Sequence, residues 1–115
     1  MELVFDLLDT GSRDAAQVMR KTFTEQGGTI GRNAACEWAL VDSTRSVSNY
    51  HAHISYRDGT FFFTDTSTNG TTVIPEQGEP RIIKKAFTPL TGRGILLFGR
   101  PLNNDRRGGM RYEVR

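Results

Sequence analysis

The apolar residues of this chain come in short bursts separated by turn residues, and several bursts alternate apolar with polar positions. The segments are "ELVFDLL", "AHISY", "TFFFT", "TTVI", "RIIKKAF", "GILLF" and "MRYEV". Alternation with a period of two is typical of a β-strand, whose successive side chains point to opposite faces. Short strands punctuated about every eight to twelve residues predict an all-β sandwich or barrel. We expect almost no helix, and we expect "ELVFDLL" and "MRYEV" to lie close together.

One hairpin is well specified by the sequence. The segment "SYRDGTFF" has Asp58-Gly59 between two alternating runs, which is a strong signal for a two-residue turn. A hairpin brings the segment before its first strand and the segment after its second strand to the same end of the sheet. Residues 42–51 and 65–70, both rich in hydroxyl and amide side chains, are therefore predicted to meet.

The bulk composition fits one globular domain. The chain has 115 residues, of which 37% are hydrophobic and 24% charged, and this length can bury a core without covalent staples. A net charge of +2 is too small to indicate a nucleic-acid partner. The single cysteine, Cys36, cannot form an internal disulfide, which is typical of an intracellular protein, and we expect it to be a small buried side chain. We expect residues 1–115 to form a single domain, and a longer parent protein stays open.

The N-terminal segment "MELVFDLLDTG" lacks the features of a signal peptide, because Glu2 and Asp6 stand where a basic region is needed. No window approaches the length of a membrane span. We therefore expect a cytoplasmic location and no membrane insertion. Residues 13–21, "RDAAQVMRK", could form a helical turn but are interpreted as a connection between strands.

The segment "TDTSTNGTTV", residues 64–73, is dense in short polar side chains. Asn-Gly is a favoured turn dipeptide, and Ser and Thr commonly bond their own backbone in turns. Taken alone, this segment is most simply a turn. Because this segment is predicted to lie beside "VSNYH" in the other loop, we also consider that the two loops form a binding or catalytic site.

Ser48 and His51 could be a nucleophile and its base, with Asp65 orienting the base. The chain has no G-x-S-x-G elbow and no evident oxyanion-hole segment, which argues against a hydrolase. His51 and His53 share a strand face at i and i+2, but a metal site needs further ligands and none accompany them. A loop histidine bonded to the backbone is the favoured interpretation, and we expect no catalytic residue, metal or cofactor.

A phosphate-binding site requires fewer special features of these residues than a catalytic site or a metal site does. Hydroxyls, side-chain amides and an arginine can collect the oxygens of one phosphate through charge-assisted hydrogen bonds. Arg32, in "GGTIGRN", follows Gly31 at the end of a predicted strand, and a glycine there lets the backbone turn sharply and approach a ligand. Most arginines are solvated surface charges, so Arg32 by itself indicates little.

Together these segments resemble a forkhead-associated (FHA) domain. The motifs, in order and at the usual spacing, are Gly31-Arg32, Ser48-Asn49-Tyr50-His51 and Thr68-Asn69-Gly70. The resemblance covers residues 28–73, and "GRGILLFGR" resembles the late strands of the family. With Trp38 and Asp42 between the motifs, the segment is also similar to the N-terminal FHA domain of scaffold proteins of bacterial type VI secretion systems.

The resemblance implies an all-β sandwich of about eleven strands with ligand loops at one end. It implies an interaction module that binds phosphothreonine peptides, in a regulatory scaffold of a type VI secretion system. The partner would be a phosphothreonine-containing protein, such as a secretion-system component phosphorylated by a Ser/Thr kinase. Two alternatives stay open: an FHA-fold scaffold that binds its partner independently of phosphorylation, and a small hydrolase using Ser48 and His51.

The resemblance also assigns roles to individual residues. The phosphate would be contacted by Arg32 and Ser48 and supported from the flanks by Asn49 and Thr68. Asn69 would hydrogen-bond the peptide main chain. His51 would fix the loop that carries Ser48, and the turns would be shaped by Gly31 and Gly70.

The sequence departs from the family at Asn49, where many members have an arginine. Asparagine donates hydrogen bonds but brings no charge, and Arg45 in the same loop is a candidate to compensate. Counting strands as successive hairpins places the 31–37 loop at the opposite end from the other two loops. That Arg32 joins the site is therefore implied by the resemblance alone.

Overall fold

The computed structural model describes residues 1–8, 19–40, 47–99 and 109–115, and these residues form eleven strands and no helix. The prediction of an all-β fold is confirmed. The strands are β1 (Leu3–Leu7), β2 (Arg20–Phe23), β3 (Gly28–Gly31), β4 (Trp38–Ala39), β5 (Ala52–Arg57), β6 (Thr60–Asp65), β7 (Thr71–Pro75), β8 (Arg81–Ile83), β9 (Phe87–Leu90), β10 (Arg93–Phe98) and β11 (Met110–Val114). Across these ranges, nothing helical is long and apolar enough to cross a membrane.

The strands form two sheets that pack into a sandwich. One sheet has six strands in the order β2-β1-β11-β10-β7-β8, and the other has five in the order β4-β3-β5-β6-β9. The first and last strands pair antiparallel, with Leu3 opposite Val114 and Leu7 opposite Met110. The expectation that the two ends of the chain lie close together is therefore confirmed.

The core between the sheets is built from the inward-facing residues of the alternating strands. In β6 the pattern is strict, since Phe61 and Phe63 are fully buried while Phe62 lies on the outer face against Phe87. The largest fully buried apolar side chains are Trp38, Tyr112, Phe5, Phe61, Phe63, Leu3, Ile30, Ile54, Leu90, Leu96 and Met110. Their continuous burial against one another holds the two sheets together.

The predicted hairpin forms as expected. Strands β5 and β6 pair from Ala52 opposite Asp65 to Arg57 opposite Thr60. Asp58 and Gly59 both have positive φ, 53° and 82°, as a type I′ turn requires. The hairpin puts residues 47–51 and 65–70 at one end of the five-stranded sheet, which we call the ligand end.

The position of the loop after Gly31 corrects the expectation from strand counting. β4 does not return from β3 as a hairpin but pairs parallel to it, with Ile30 opposite Trp38 and Gly31 opposite Ala39. Both strands therefore run toward the ligand end. Because β3 pairs antiparallel with β5, its last residues lie beside the start of β5. Arg32 is thus at the ligand end.

The segment "RIIKKAF" is not one strand as its composition suggested. Its first part is β8, which pairs with β7, and its last residue begins β9, which pairs with β6 in the other sheet. Between them Lys85 has a φ of 53°, so the chain turns from one sheet to the other. Of the proposed connection 13–21, residues 13–18 lie outside the described residues, whereas Arg20 and Lys21 belong to β2.

Candidate functional site

Two loops at the ligand end are joined through their backbones. The N–H of Arg32 donates to the carbonyl of Ser48, and the N–H of Asn33 donates to that of Asn49, both at 3.1 Å. The buried Cys36 thiol also approaches the Asn49 carbonyl, with 3.5 Å between sulfur and oxygen. These contacts continue the pairing of β3 with β5 beyond the end of the sheet and bring Arg32 beside Ser48.

Gly31 is required by this close approach. A Cβ at position 31 would lie 2.1 Å from the carbonyl oxygen of Asn49 and 3.0 Å from the amide nitrogen of His51. No side chain fits there without moving the backbone of one loop. The absence of a side chain at Gly31 is what lets the two loops lie side by side.

The turn after β6 closes onto the same loop from its other side. The N–H of Thr66 donates to the carbonyl of His51 at 2.9 Å, and the Thr66 hydroxyl donates to that of Tyr50 at 2.7 Å. The N–H of Thr68 donates to Oγ of Ser48 at 3.1 Å. Because the Ser48 hydroxyl accepts in this bond, its own hydrogen can be directed to a ligand oxygen.

His51 lies beneath these loops and is fully buried. Its Nδ1 accepts a 3.1 Å hydrogen bond from the N–H of Ser48, so in this arrangement the ring proton sits on Nε2, 2.9 Å from Oγ1 of Thr71. The ring also stacks on Phe98, with 4.3 Å between centroids. The expectation that His51 and His53 share a face is wrong, because His51 precedes β5 and turns inward while His53 is exposed.

Asp65 organises the interior of the turn and was considered in the sequence only as an orienter of a catalytic base. Its buried carboxylate accepts from the N–H and hydroxyl of Ser67, the hydroxyl of Thr71 and the N–H of Lys85, at 2.6–3.1 Å. The hydroxyl of Ser67 in turn accepts from the N–H of Gly70. Ser67 and Thr71 were missed. A short polar side chain two residues after an aspartate that ends a strand is the pattern that could have indicated Ser67. Thr71 begins β7, and its role is seen only in its contacts with Asp65 and His51.

Gly70 ends the turn with a φ of 87°, a conformation that glycine adopts without strain. It is held on both sides, since its N–H bonds Ser67 and its carbonyl accepts from the N–H of Gly99. Thr68 and Asn69 stand exposed on the outside of the turn. Of the turn residues predicted from the sequence, Thr68 and Asn69 therefore have exposed side chains, and Gly70 is fixed in the turn by its backbone hydrogen bonds.

The Arg32 side chain is half-buried and lies across the start of the second loop. Its Nε donates to the carbonyl of Val47. In the described ranges of the chain, its guanidinium forms no ion pair. Arg32, Ser48, Asn49 and Thr68 are thus together on one surface, whereas Arg45 and Asp42 lie outside the described residues.

The geometry argues against the Ser–His hydrolase. Both ring nitrogens of His51 already take part in hydrogen bonds, one with the backbone of Ser48 and one with Thr71. Asp65 reaches the histidine mainly through Thr71, since its Oδ2 is 3.6 Å from Nε2. Within the described residues no cluster of three or more metal-ligating side chains occurs. The arrangement supports a loop rather than an activated nucleophile.

Comparison with known sequences places these loops in a family. A family model of the FHA domain matches residues 28–89, more than half of the chain, and the match spans all three loops of the ligand end. No curated protein matches the chain in sequence.

Solved structures share the fold at low sequence identity. The FHA-1 domain of Mycobacterium tuberculosis Rv1747 is 16% identical, with a TM-score of 0.67 over 98% of this chain and 95% of that chain. The N-terminal FHA domain of S. cerevisiae Rad53p, in complex with a phosphothreonine peptide, is 20% identical, with a TM-score of 0.66 over 98% and 91%. The FhaA FHA domain, complexed with the intracellular domain of Rv3910, is 23% identical, with a TM-score of 0.62 over 98% and 99%.

Proposed function

The chain belongs to the family of FHA domains, which are interaction modules that bind phosphothreonine peptides, and we propose that its own ligand end is such a binding site. The observation that carries this proposal is the junction at Ser48. Its carbonyl accepts from the backbone of Arg32 and its hydroxyl from the backbone of Thr68. An arginine, a hydroxyl and two exposed polar loops are therefore adjacent on one surface.

Within this site Arg32 and Ser48 bind the phosphate. A phosphothreonine carries a charge of about −1.5 to −2 and three acceptor oxygens, which suits a guanidinium beside a hydroxyl that can donate. The exposed Asn49 and Thr68 donate from either side, and Asn69 bonds the main chain of the peptide. Arg45 is a further cation for the same phosphate.

Three further residues support the binding residues in this proposal. His51 sets the direction of the Ser48 backbone, and Gly31 allows Arg32 to approach it. Gly70 lets the turn close with Asn69 outward. The role of the site is to bind, and no step of catalysis, no metal and no cofactor is assigned to it.

We further propose that residues 1–115 act as one domain of a regulatory scaffold in a bacterial type VI secretion system. The support is the similarity of the segment from Gly27 to Gly70 to the N-terminal FHA domains of those scaffolds. The partner would be a secretion-system component phosphorylated by a Ser/Thr kinase, in the cytoplasm. An array of phosphothreonine segments from type VI secretion proteins, with segments from unrelated phosphoproteins as controls, tests this assignment, which fails if the two groups bind equally.

A peptide library with one fixed central residue tests the binding function itself. The central residue is phosphothreonine, phosphoserine, phosphotyrosine or unmodified threonine, and the flanks are random. We expect phosphothreonine to be selected, with phosphoserine weaker because it lacks the methyl group. Equal selection of unmodified threonine would favour the alternative, an FHA-fold scaffold that binds independently of phosphorylation, to which the neutral Asn49 lends some support.

A further inference from the structure

We propose that Lys84 and Lys85, in the connection between β8 and β9, make the site selective for phosphothreonine ligands with acidic side chains a few residues from the phosphate. The proposal rests on the phosphothreonine function proposed above. It assigns a ligand class to a loop that lies outside the Gly-Arg, Ser-His and Asn-Gly motifs.

The connection lies at the ligand end because of how its two strands pair. β8 ends with Ile83 opposite Thr71, the first residue of β7, and β9 begins with Phe87 opposite Thr64, near the end of β6. Residues 84–86 therefore cross from one sheet to the other directly beside the 65–70 turn.

Direct contacts fix the connection against that turn. A Cβ at Gly70 would lie 3.6 Å from Cβ of Lys84. The N–H of Lys85 donates to Oδ1 of Asp65 at 3.1 Å, and the N–H of Asp65 donates to the carbonyl of Ala86 at 2.8 Å. The two lysines are thus held next to the Asn-Gly turn by the same carboxylate that organises the turn.

Within the described residues, the charge beside the turn is mainly positive. In the described loops that meet there, residues 31–37, 47–51, 65–70 and 84–86, the cationic side chains are Arg32, Lys84 and Lys85. Two acidic side chains occur in these loops: Asp65 is 1% exposed and bonded to its own turn, and Glu37 lies against Gly28, away from that turn. Lys84 and Lys85 are both exposed, so a ligand that passes over the turn meets positive charge.

The strand order sets the distance from the phosphate. β5, which follows the Ser48 loop, is separated from β9 by β6, so the two loops are two strand spacings apart, or about 10 Å. An extended peptide advances about 3.3 Å per residue. An acidic side chain within about two to four residues of the phosphothreonine can therefore reach the lysines.

Lys85 is an unexpected residue for its backbone conformation. Its φ of 53° lies in the left-handed region, where glycine and asparagine are favoured. Because the Lys85 side chain is exposed, packing in the core does not account for a lysine at this position. The position also provides a clean variant, because Lys85→Gly removes the charge and relieves the strain together.

The test uses pairs of phosphothreonine peptides that differ only in having aspartate or alanine at the second to fourth positions, placed after the phosphothreonine in one pair and before it in the other. We expect the acidic peptide to bind about three- to tenfold more tightly than the neutral one in one of the two pairs. The variant Lys84→Gln/Lys85→Gly is expected to lose this difference and to keep the affinity for the neutral phosphopeptide. Arg93→Gln, an exposed cation at the opposite end of the sandwich, is expected to change neither.

The possible outcomes distinguish failure of the lysine assignment from failure of the phosphothreonine function. Equal affinity for acidic and neutral peptides in both pairs, or a difference that survives in the double variant, overturns the assignment to the lysines and leaves the phosphothreonine function standing. If the unaltered protein binds the phosphorylated and unphosphorylated forms of a peptide with equal affinity, the phosphothreonine function itself is overturned, and this inference with it.

Discussion

The main-chain N–H of Ser48 donates a 3.1 Å hydrogen bond to Nδ1 of His51, three residues further along the chain. The other ring nitrogen lies 2.9 Å from the hydroxyl of Thr71, which donates to Asp65. The histidine thus connects the loop that carries Ser48 to the turn after β6. A fully buried ring in this position acts on the ligand only through the loops that it holds.

We expect His51→Ala to lower stability by about 1–3 kcal/mol, because the hydrogen-bond partners of the ring lose their contacts and a cavity opens beside Phe98. For a domain of this size that is about 4–12 °C in the melting temperature. His53→Ala is the matched control, since His53 is exposed two residues away, and it should change the melting temperature little. Equal melting of the two variants would mean that His51 has no structural role.

Asp65→Asn should be costly, because an amide cannot accept all the hydrogen bonds that the carboxylate accepts from Ser67, Thr71 and Lys85. We expect a loss of about 2–3 kcal/mol in the free energy of unfolding, measured by urea denaturation. The control is Asp58→Asn in the hairpin turn, where Asn-Gly suits the type I′ conformation as well as Asp-Gly does. A smaller loss at Asp65 than at Asp58 would refute the account of the turn.

Gly31→Ala should separate the two loops at the phosphate site. The added Cβ would lie 2.1 Å from the carbonyl oxygen of Asn49, and relieving such overpacking costs about 1–3 kcal/mol. We expect phosphopeptide affinity to fall at a temperature where the variant is still folded. Gly59→Ala controls for stability, because it strains a turn at the far end with open space around it, and it should leave affinity unchanged. Unchanged affinity in Gly31→Ala would show that the close approach is not needed.

The architecture at the ligand end was partly predictable from the sequence. Asp58-Gly59 predicted the hairpin, and the hairpin correctly predicted that residues 47–51 meet residues 65–70, because a two-residue turn leaves no alternative geometry. The position of Arg32 was not derivable in this way. It depends on the parallel pairing of β3 with β4, which joins only two residue pairs and has no signature in the pattern of apolar residues.

Other features of the fold could not be predicted from the sequence because they depend on tertiary contacts. "RKTF" forms β2 without a clear apolar alternation, since it is held at the sheet edge by β1. The separation of β8 from β9 depends on one strained lysine, which composition does not indicate. The inward turn of His51 depends on Phe98 and Thr71, which are distant in sequence. The residues alone indicated a loop histidine bonded to the backbone, and the resemblance to the family added that His51 fixes the loop that carries Ser48.

The central claim is that the ligand end binds phosphate through Arg32 and Ser48. A hydrogen bond to a charged group is worth about 1.5–3 kcal/mol, so Arg32→Ala should weaken phosphopeptide binding about ten- to a hundredfold. Ser48→Ala should weaken it somewhat less, and Arg93→Ala, at the opposite end, hardly at all. Because part of the attraction is between charges at a wet surface, the affinity should also fall with added salt.

The most direct measurement is calorimetry on one peptide selected from the library, in its phosphorylated and unphosphorylated forms, with the unaltered domain and with Arg32→Ala. We predict binding of the phosphorylated peptide by the unaltered domain, no measurable binding of the unphosphorylated peptide, and the ten- to hundredfold loss in the variant given above. Equal affinity for both forms, together with a harmless Arg32→Ala, would contradict the account and show that partners bind to a surface that does not read phosphate.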